Sequence, residues 1–147
     1  MNKLQVKIKV SDDRLTPSYA NTSDAGLDLR ANIELPMRLQ RGSRVTVPTG
    51  VFLEIPPGYF GAVCQRSGLA KKHGLTVANA PGIVDAAYRG EVCVILQMHG
   101  DDAFTTNPFD RIAQLVIQPC MRAELIITDE LTETARGTGG FGSSGRG

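Results

Sequence analysis

Apolar and polar residues alternate strictly near the start of the chain. Leu4, Val6, Ile8 and Val10 are apolar, and Lys3, Gln5, Lys7 and Lys9 are polar. A period of two marks a strand with one buried face. Short β-rich runs recur at 44–47, 51–55, 59–65, 75–78, 91–98, 112–118 and 123–128. Turn formers separate them: Arg41-Gly42, Pro48-Thr49-Gly50, Pro56-Pro57-Gly58, Pro81-Gly82, Gly100-Asp101-Asp102 and Asn107-Pro108. Many short strands at close spacing predict an all-β sandwich or barrel. One short helix is expected over Ser67–Lys72, with Ser67 as N-cap and His73-Gly74 as its stop. No internal repeat or linker divides the chain.

Composition sharpens this picture. The 147 residues fit one domain, and 41% hydrophobic residues suffice for a core. The 16 glycines and 8 prolines favour turns over long helices. A net charge of +1 excludes nucleic-acid binding by bulk charge, so any polyanion must be held by a few placed arginines. No run approaches the ~18 apolar residues of a membrane span, and the N-terminus lacks the apolar core of a secretion signal. Three cysteines without a Cys-x-x-Cys pair (Cys64, Cys93, Cys120) predict buried free thiols in a reducing compartment, the cytoplasm. The chain divides into a domain over 1–135 and a glycine-rich arm over 136–147. Arg136–Gly147 carries six glycines together with Arg136 and Phe141. Such an arm is either a frayed end or a loop that turns main-chain N–H groups toward a phosphate. It is no Walker A loop, because Ser143 stands where that motif needs lysine.

Candidate chemistry rests on carboxylates and arginines. The two histidines, His73 and His99, have no partners at metal-ligand spacing, and no Gly-x-Ser-x-Gly elbow is present. Four clusters stand out. Arg66-Ser67-Gly68 lies where a strand hands over to the helix, as an anion site or a capped surface helix. Arg111 and Gln114 interrupt an apolar run and need partners, unless the strand is an edge. Residues 84–91 read as a hairpin tip carrying Asp85 and Tyr88, or as a plain polar turn. Asp28 falls inside a strand, where an unpaired carboxylate is costly, and a structural hydrogen-bond hub would also account for it.

Taken together, these clusters resemble the trimeric deoxyuridine triphosphate nucleotidohydrolase (dUTPase) family. Five motifs occur in order, from Ala25-Gly26-Leu27-Asp28-Leu29-Arg30-Ala31 and Arg66-Ser67-Gly68-Leu69-Ala70 to the stretch from Asn79 through Gly82-Ile83-Val84-Asp85 to Tyr88-Arg89-Gly90-Glu91. Asp110-Arg111-Ile112-Ala113-Gln114-Leu115 and Arg136-Gly137-Thr138-Gly139-Gly140-Phe141-Gly142-Ser143 complete the set. The resemblance implies a distorted jelly-roll β-barrel with one short helix and a flexible glycine-rich arm. It also implies a homotrimer whose active sites each draw on all three subunits. The implied reaction converts dUTP to dUMP and diphosphate, which supplies dUMP for dTMP synthesis and keeps uracil out of DNA. By the same resemblance, Asp85 activates the water that attacks the α-phosphorus. Arg66, Ser67, Gly68 and Gln114 hold the phosphates, with Asp28 and Arg111 in support. Arg136, Gly142 and Ser143 close over the phosphate chain, and Phe141 stacks on the uracil. Asn79 and Cys93 flank the uracil edge, Gly82, Ile83 and Val84 belong to its pocket, and Tyr88 lies under the deoxyribose and excludes a 2′-hydroxyl. Mg²⁺ is the implied cofactor. It rides on the triphosphate with no direct protein ligand, and Asp28 reaches it at most through water. No nucleic acid or membrane partner is implied.

Two positions depart from the family pattern. Gln65 replaces the usual proline before Arg-Ser, and Phe109 replaces the usual glycine before Asp-Arg. A dCTP deaminase on the same fold would need a glutamate beside the base, and a purely regulatory trimer could dispense with Asp85 and the arm.

Overall fold

A computed structural model describes residues 3–140. Its strands are β1 (Lys7–Val10), β2 (Leu27–Arg30), β3 (Met37–Leu39), β4 (Arg44–Glu54), β5 (Tyr59–Cys64), β6 (Leu75–Val77), β7 (Gly82–Val84), β8 (Glu91–Met98), β9 (Phe104–Thr106) and β10 (Arg111–Pro119), with a helix α1 (Ser67–His73) between β5 and β6. One four-stranded sheet runs β1-β4-β8-β6 and a second runs β2-β10-β5-β7, while β3 and β9 form a ribbon. All pairs are antiparallel. This is the jelly-roll arrangement expected from the resemblance.

Alternation explains the core. In β8, Val92, Val94, Leu96 and Met98 point inward, and Glu91, Cys93, Ile95 and Gln97 point the other way. Leu29, Ala113 and Leu115 meet them from the second sheet. Truncating such a fully buried leucine costs about 2–5 kcal/mol.

Several expectations are corrected. The runs 44–47 and 51–55 form one strand, with Pro48-Thr49-Gly50 lying inside β4 as a register shift rather than a turn. A hairpin would have ended β4 there. Instead, side chains replace the lost ladder bonds, as described below. Ser67 is not the N-cap. Arg66 occupies that position with no side-chain cap bond, and the helix runs through His73 to Gly74, which sits in the left-handed region at φ 66°. Residues 123–128 form no strand, because Leu125-Ile126-Ile127 is an unbroken apolar run with no strand of this chain beside it. The last sheet residue is Pro119. The thiols are free but not buried: Cys93 points outward from β8, Cys120 is exposed just after β10, and Cys64 is half-buried. Among the described residues, no helix is long and apolar enough to cross a membrane.

Candidate active site

The strongest polar cluster joins three of the sequence motifs. Asp28 on β2 is buried, and its two carboxylate oxygens take one arginine each. Arg66 Nε lies 3.0 Å from Oδ1 and Arg111 Nη1 lies 3.0 Å from Oδ2. A buried carboxylate needs such compensation. The backbone supplies it through a β-bulge. Register shifts by one residue between Arg111 and Ala113 on β10, against Arg30 and Leu29 on β2. Bulges re-aim side chains, and this one lets Arg111 reach the carboxylate. Arg66 also donates from Nη1 to the Arg111 carbonyl at 3.2 Å. Its Nη2 has no protein partner among the described residues.

Gln114 pairs with Asp28 across the β2–β10 ladder and with Cys64 across β5–β10. Its Nε2 donates to the Gln65 carbonyl at 3.0 Å. Gly26 makes room for it, since a Cβ at that position would lie 2.4 Å from Gln114 Oε1. Arg66, Ser67, Gly68, Gln114, Asp28 and Gly26 line one cavity of about 380 Å³. Arg66, Ser67 and Gln114 bring hydrogen-bond donors to its wall, and Asp24 adds a second carboxylate beside Asp28.

A second cavity of about 230 Å³ lies between β7 and β8. Asn79, Gly82, Ile83, Val84, Tyr88 and Cys93 all line it, together with Glu91, to which sequence reasoning gave no role. Residues 85–90 are not a hairpin tip. They cross between sheets, because β7 pairs with β5 while β8 pairs with β4 and β6. Partial desolvation at the cavity wall, and secondarily the Glu91 carboxylate, push the thiol pKa of the otherwise exposed Cys93 up.

Other predicted site residues fall elsewhere. Asp85 is exposed and lines neither cavity. Arg136 is exposed, lines neither cavity, and donates from Nε to the Gly139 carbonyl at 2.8 Å. Phe141, Gly142 and Ser143 lie outside the described residues. The two departures have visible consequences. Gln65 Oε1 is buried without a protein partner among the described residues. Phe109 keeps the left-handed turn that a glycine would favour, at φ 65°. Its N–H donates to the Ala31 carbonyl, its own carbonyl accepts from Arg30, and the Arg14 guanidinium covers its ring at 4.1 Å. Asp12 in turn grips Arg14, whose guanidinium lowers the Asp12 carboxyl to about 2.

The dUTPase family model matches residues 13–145. The chain belongs to the dUTPase family. A deoxyuridine 5′-triphosphate nucleotidohydrolase of Burkholderia cenocepacia is 45% identical over 147 residues, covering 97% of this chain and 99% of that protein. One of Anaeromyxobacter is 54% identical over 130 residues, covering 88% and 87%. Among solved dUTPase structures, that of Staphylococcus bacteriophage 80alpha with dUpNHpp superposes at a TM-score of 0.86 and 27% identity, covering 98% of this chain and 100% of that one. A variant of the phage phi11 dUTPase, whose structure bears on coordination of a structural Mg(II) ion, superposes at 0.78. At 22% identity it shows the dUTPase fold alone, covering 88% of this chain and 100% of that one.

Proposed function

We propose that this dUTPase hydrolyses dUTP to dUMP and diphosphate, by in-line attack of water on the α-phosphorus. The Asp28–Arg66–Arg111 cluster at the mouth of the first cavity carries this reading. Both Asp28 oxygens are engaged, so the cluster is rigid, and Arg66 keeps donor capacity for phosphate. Ser67, Gly68 and Gln114 add donors along the same wall. Phosphoryl transfer asks mainly for such positioning and charge stabilisation. Asp85 orients the water and takes its proton as the P–O bond to diphosphate breaks. Its exposed place between the sheets suits a group that meets a substrate held by another copy.

The second cavity takes the uridine. It is small, with walls from Ile83 and Val84, and Asn79 offers polar groups to a base edge. Tyr88 lies under the deoxyribose and leaves no room for a 2′-hydroxyl. Phe141 stacks on the uracil, and Arg136 with the glycine-rich arm closes over the phosphates.

The metal of this reading rides on the substrate: both Asp28 oxygens are taken by arginines, so this carboxylate would reach an ion only through water. Mg²⁺ bound with the triphosphate would neutralise part of its charge.

The working form is a homotrimer in the cytoplasm with sites shared between subunits. The two cavities have no lining residue in common among the described residues. The segment after Pro119 exposes Met121, Leu125, Ile126, Ile127 and Leu131, a load of apolar surface that a monomer would leave in water. The product, dUMP, feeds dTMP synthesis, and removal of dUTP keeps uracil out of DNA. Incubation with dUTP or dCTP in ¹⁸O-water tests the reading. Diphosphate from dUTP, with label in dUMP, supports attack at the α-phosphorus. Ammonia from dCTP would instead identify a deaminase, and label only in diphosphate would move the attack to the β-phosphorus.

A further inference from the structure

We propose that Glu91 is a positioning residue for Tyr88. Its carboxylate anchors on the β4 bulge at Gly50, which fixes the main-chain carbonyl holding the Tyr88 phenol and so sets how strictly the sugar pocket rejects a 2′-hydroxyl. The inference rests on the reading of Tyr88 as the floor of the deoxyribose site.

The argument begins with a backbone accounting problem. Register runs Pro48↔Cys93 and then Phe52↔Glu91, so Thr49, Gly50 and Val51 face Val92 alone. Ladder bonds are lost there, and buried main-chain groups must find other partners. Side chains provide them. Thr49 Oγ1 donates to the Val92 carbonyl at 2.5 Å, and the Gly50 N–H donates to Glu91 Oε1 at 2.6 Å. The Gly50 carbonyl accepts from the Ser11 N–H at 2.9 Å. The bulge is therefore pinned on both sides, and a half-buried carboxylate supplies one of the pins. A charged acceptor on a main-chain N–H makes a short, strong bond.

The same glutamate supports Tyr88 through its main chain. The Tyr88 hydroxyl donates to the Glu91 carbonyl at 3.0 Å. The ring folds over Gly90, where a Cβ would lie 2.4 Å from the hydroxyl oxygen and 2.5 Å from Cζ. Only a glycine lets the ring lie that close. The rest of the crossing is tied to itself: the Tyr88 N–H donates to the Asp85 carbonyl, and Arg89 Nη1 donates to the carbonyls of Ala86 and Tyr88. The phenol's bond to Glu91 thus joins this crossing to β8, and the Glu91 carboxylate joins that point to β4. If the Glu91 main chain shifts, the ring loses its fixed height in the cavity that both residues line.

The test compares kcat/KM for dUTP and UTP in four variants, each on assembled, folded protein checked by thermal unfolding. Tyr88→Ala tests the underlying reading and should erode dUTP preference most. Tyr88→Phe removes only the hydroxyl, and Glu91→Ala only the anchor. Each should lower the dUTP/UTP preference about fivefold to tenfold, the equivalent of one neutral hydrogen bond. Glu91→Gln keeps an acceptor for the Gly50 N–H and should restore the preference. Should Glu91→Ala fail to fold, Tyr88→Phe and Glu91→Gln decide. Preference lost in Tyr88→Ala but kept in Tyr88→Phe or Glu91→Ala overturns the role of Glu91 and leaves the sugar reading standing. A loss in Glu91→Gln as large as in Glu91→Ala also overturns it, since charge rather than positioning would then matter. Preference kept in Tyr88→Ala overturns the sugar reading itself.

Discussion

Changing Asp28 to Asn keeps the side chain's shape and removes its charge. A hydrogen-bonded ion pair from Arg111 and an ion-pair contact from Arg66, each at 3.0 Å, converge on this carboxylate, whose side chain is 11% exposed, while those of Arg66 and Arg111 are 29% and 42% exposed. A hydrogen bond to a charged group contributes about 1.5–3 kcal/mol. Partial exposure of the arginines puts each bond at the lower end of that range. Asn retains one oxygen for one guanidinium and turns an N–H₂ donor toward the other, so one bond weakens and the other is lost. The net destabilisation is about 2–3 kcal/mol. In a chain of this size each kcal/mol lowers Tm by about 2–4 °C, so a drop of roughly 5–10 °C is expected. Calorimetry at fixed protein concentration measures it, because the Tm of an assembling chain depends on concentration. Arg66 also loses its orientation toward the phosphates, and kcat/KM for dUTP should fall at least about tenfold, corresponding to about 1.4 kcal/mol. An unchanged Tm would refute the view that this cluster holds the sheet end together. A lowered Tm with full activity would show that Arg66 binds phosphate without help from Asp28.

Further outcomes follow from the same geometry. Asp85→Asn should retain affinity for a non-hydrolysable dUTP analogue, measured by calorimetric titration, while turnover falls by about 10²–10⁴. Gly26→Ala places a methyl against Gln114 and should cut kcat/KM about tenfold through displacement of that side chain, with a Tm change of only a few degrees. Cys93 has a raised thiol pKa, so less of it is thiolate at neutral pH than in an ordinary cysteine. Its alkylation by iodoacetamide should be slow near pH 7, rise above pH 9, and be blocked by nucleotide, as mass spectrometry of the modified peptide would show.

What the sequence made legible was local. Short β-rich runs located β8 and β10 almost to the residue, and in β8 the burial alternates with one face fully inside. It placed Asp28 in a strand, marked Arg111 and Gln114 as polar groups in need of partners, and offered Arg66 as part of an anion site or of a capped surface helix. It could not say that two of those arginines share one carboxylate, because that pairing joins residues 83 positions apart and depends on a bulge in β10. Pro48-Thr49-Gly50 has the composition of a turn, yet long-range bonds from Thr49 and to Glu91 keep it within a strand. Gly82–Val84 and Glu91–Met98 resemble hairpin arms, but their ladder partners lie in different sheets. The 123–128 run has strand composition but pairs with no strand of its own chain, and local sequence cannot show whether a partner strand is there. Glu91 carried no local signal, since its role depends on a contact with Gly50.

The claim at the centre of this account is that one active site is built from several copies of the chain. Co-refolding two inactive variants tests it most directly: one carries Asp85→Asn, and the other lacks residues 136–147. Each alone should form trimers with almost no turnover if, as proposed, Asp85 activates the water and the arm closes the site. The deletion removes one large apolar residue and six glycines, so the core should remain intact. In mixed trimers, Asp85 from one subunit can meet the arm of another. Activity on dUTP should reappear in proportion to the fraction of correctly mixed sites. Mixed trimers that form, as shown by differential tagging, and yet recover no activity would contradict the shared site and place all its parts within one chain.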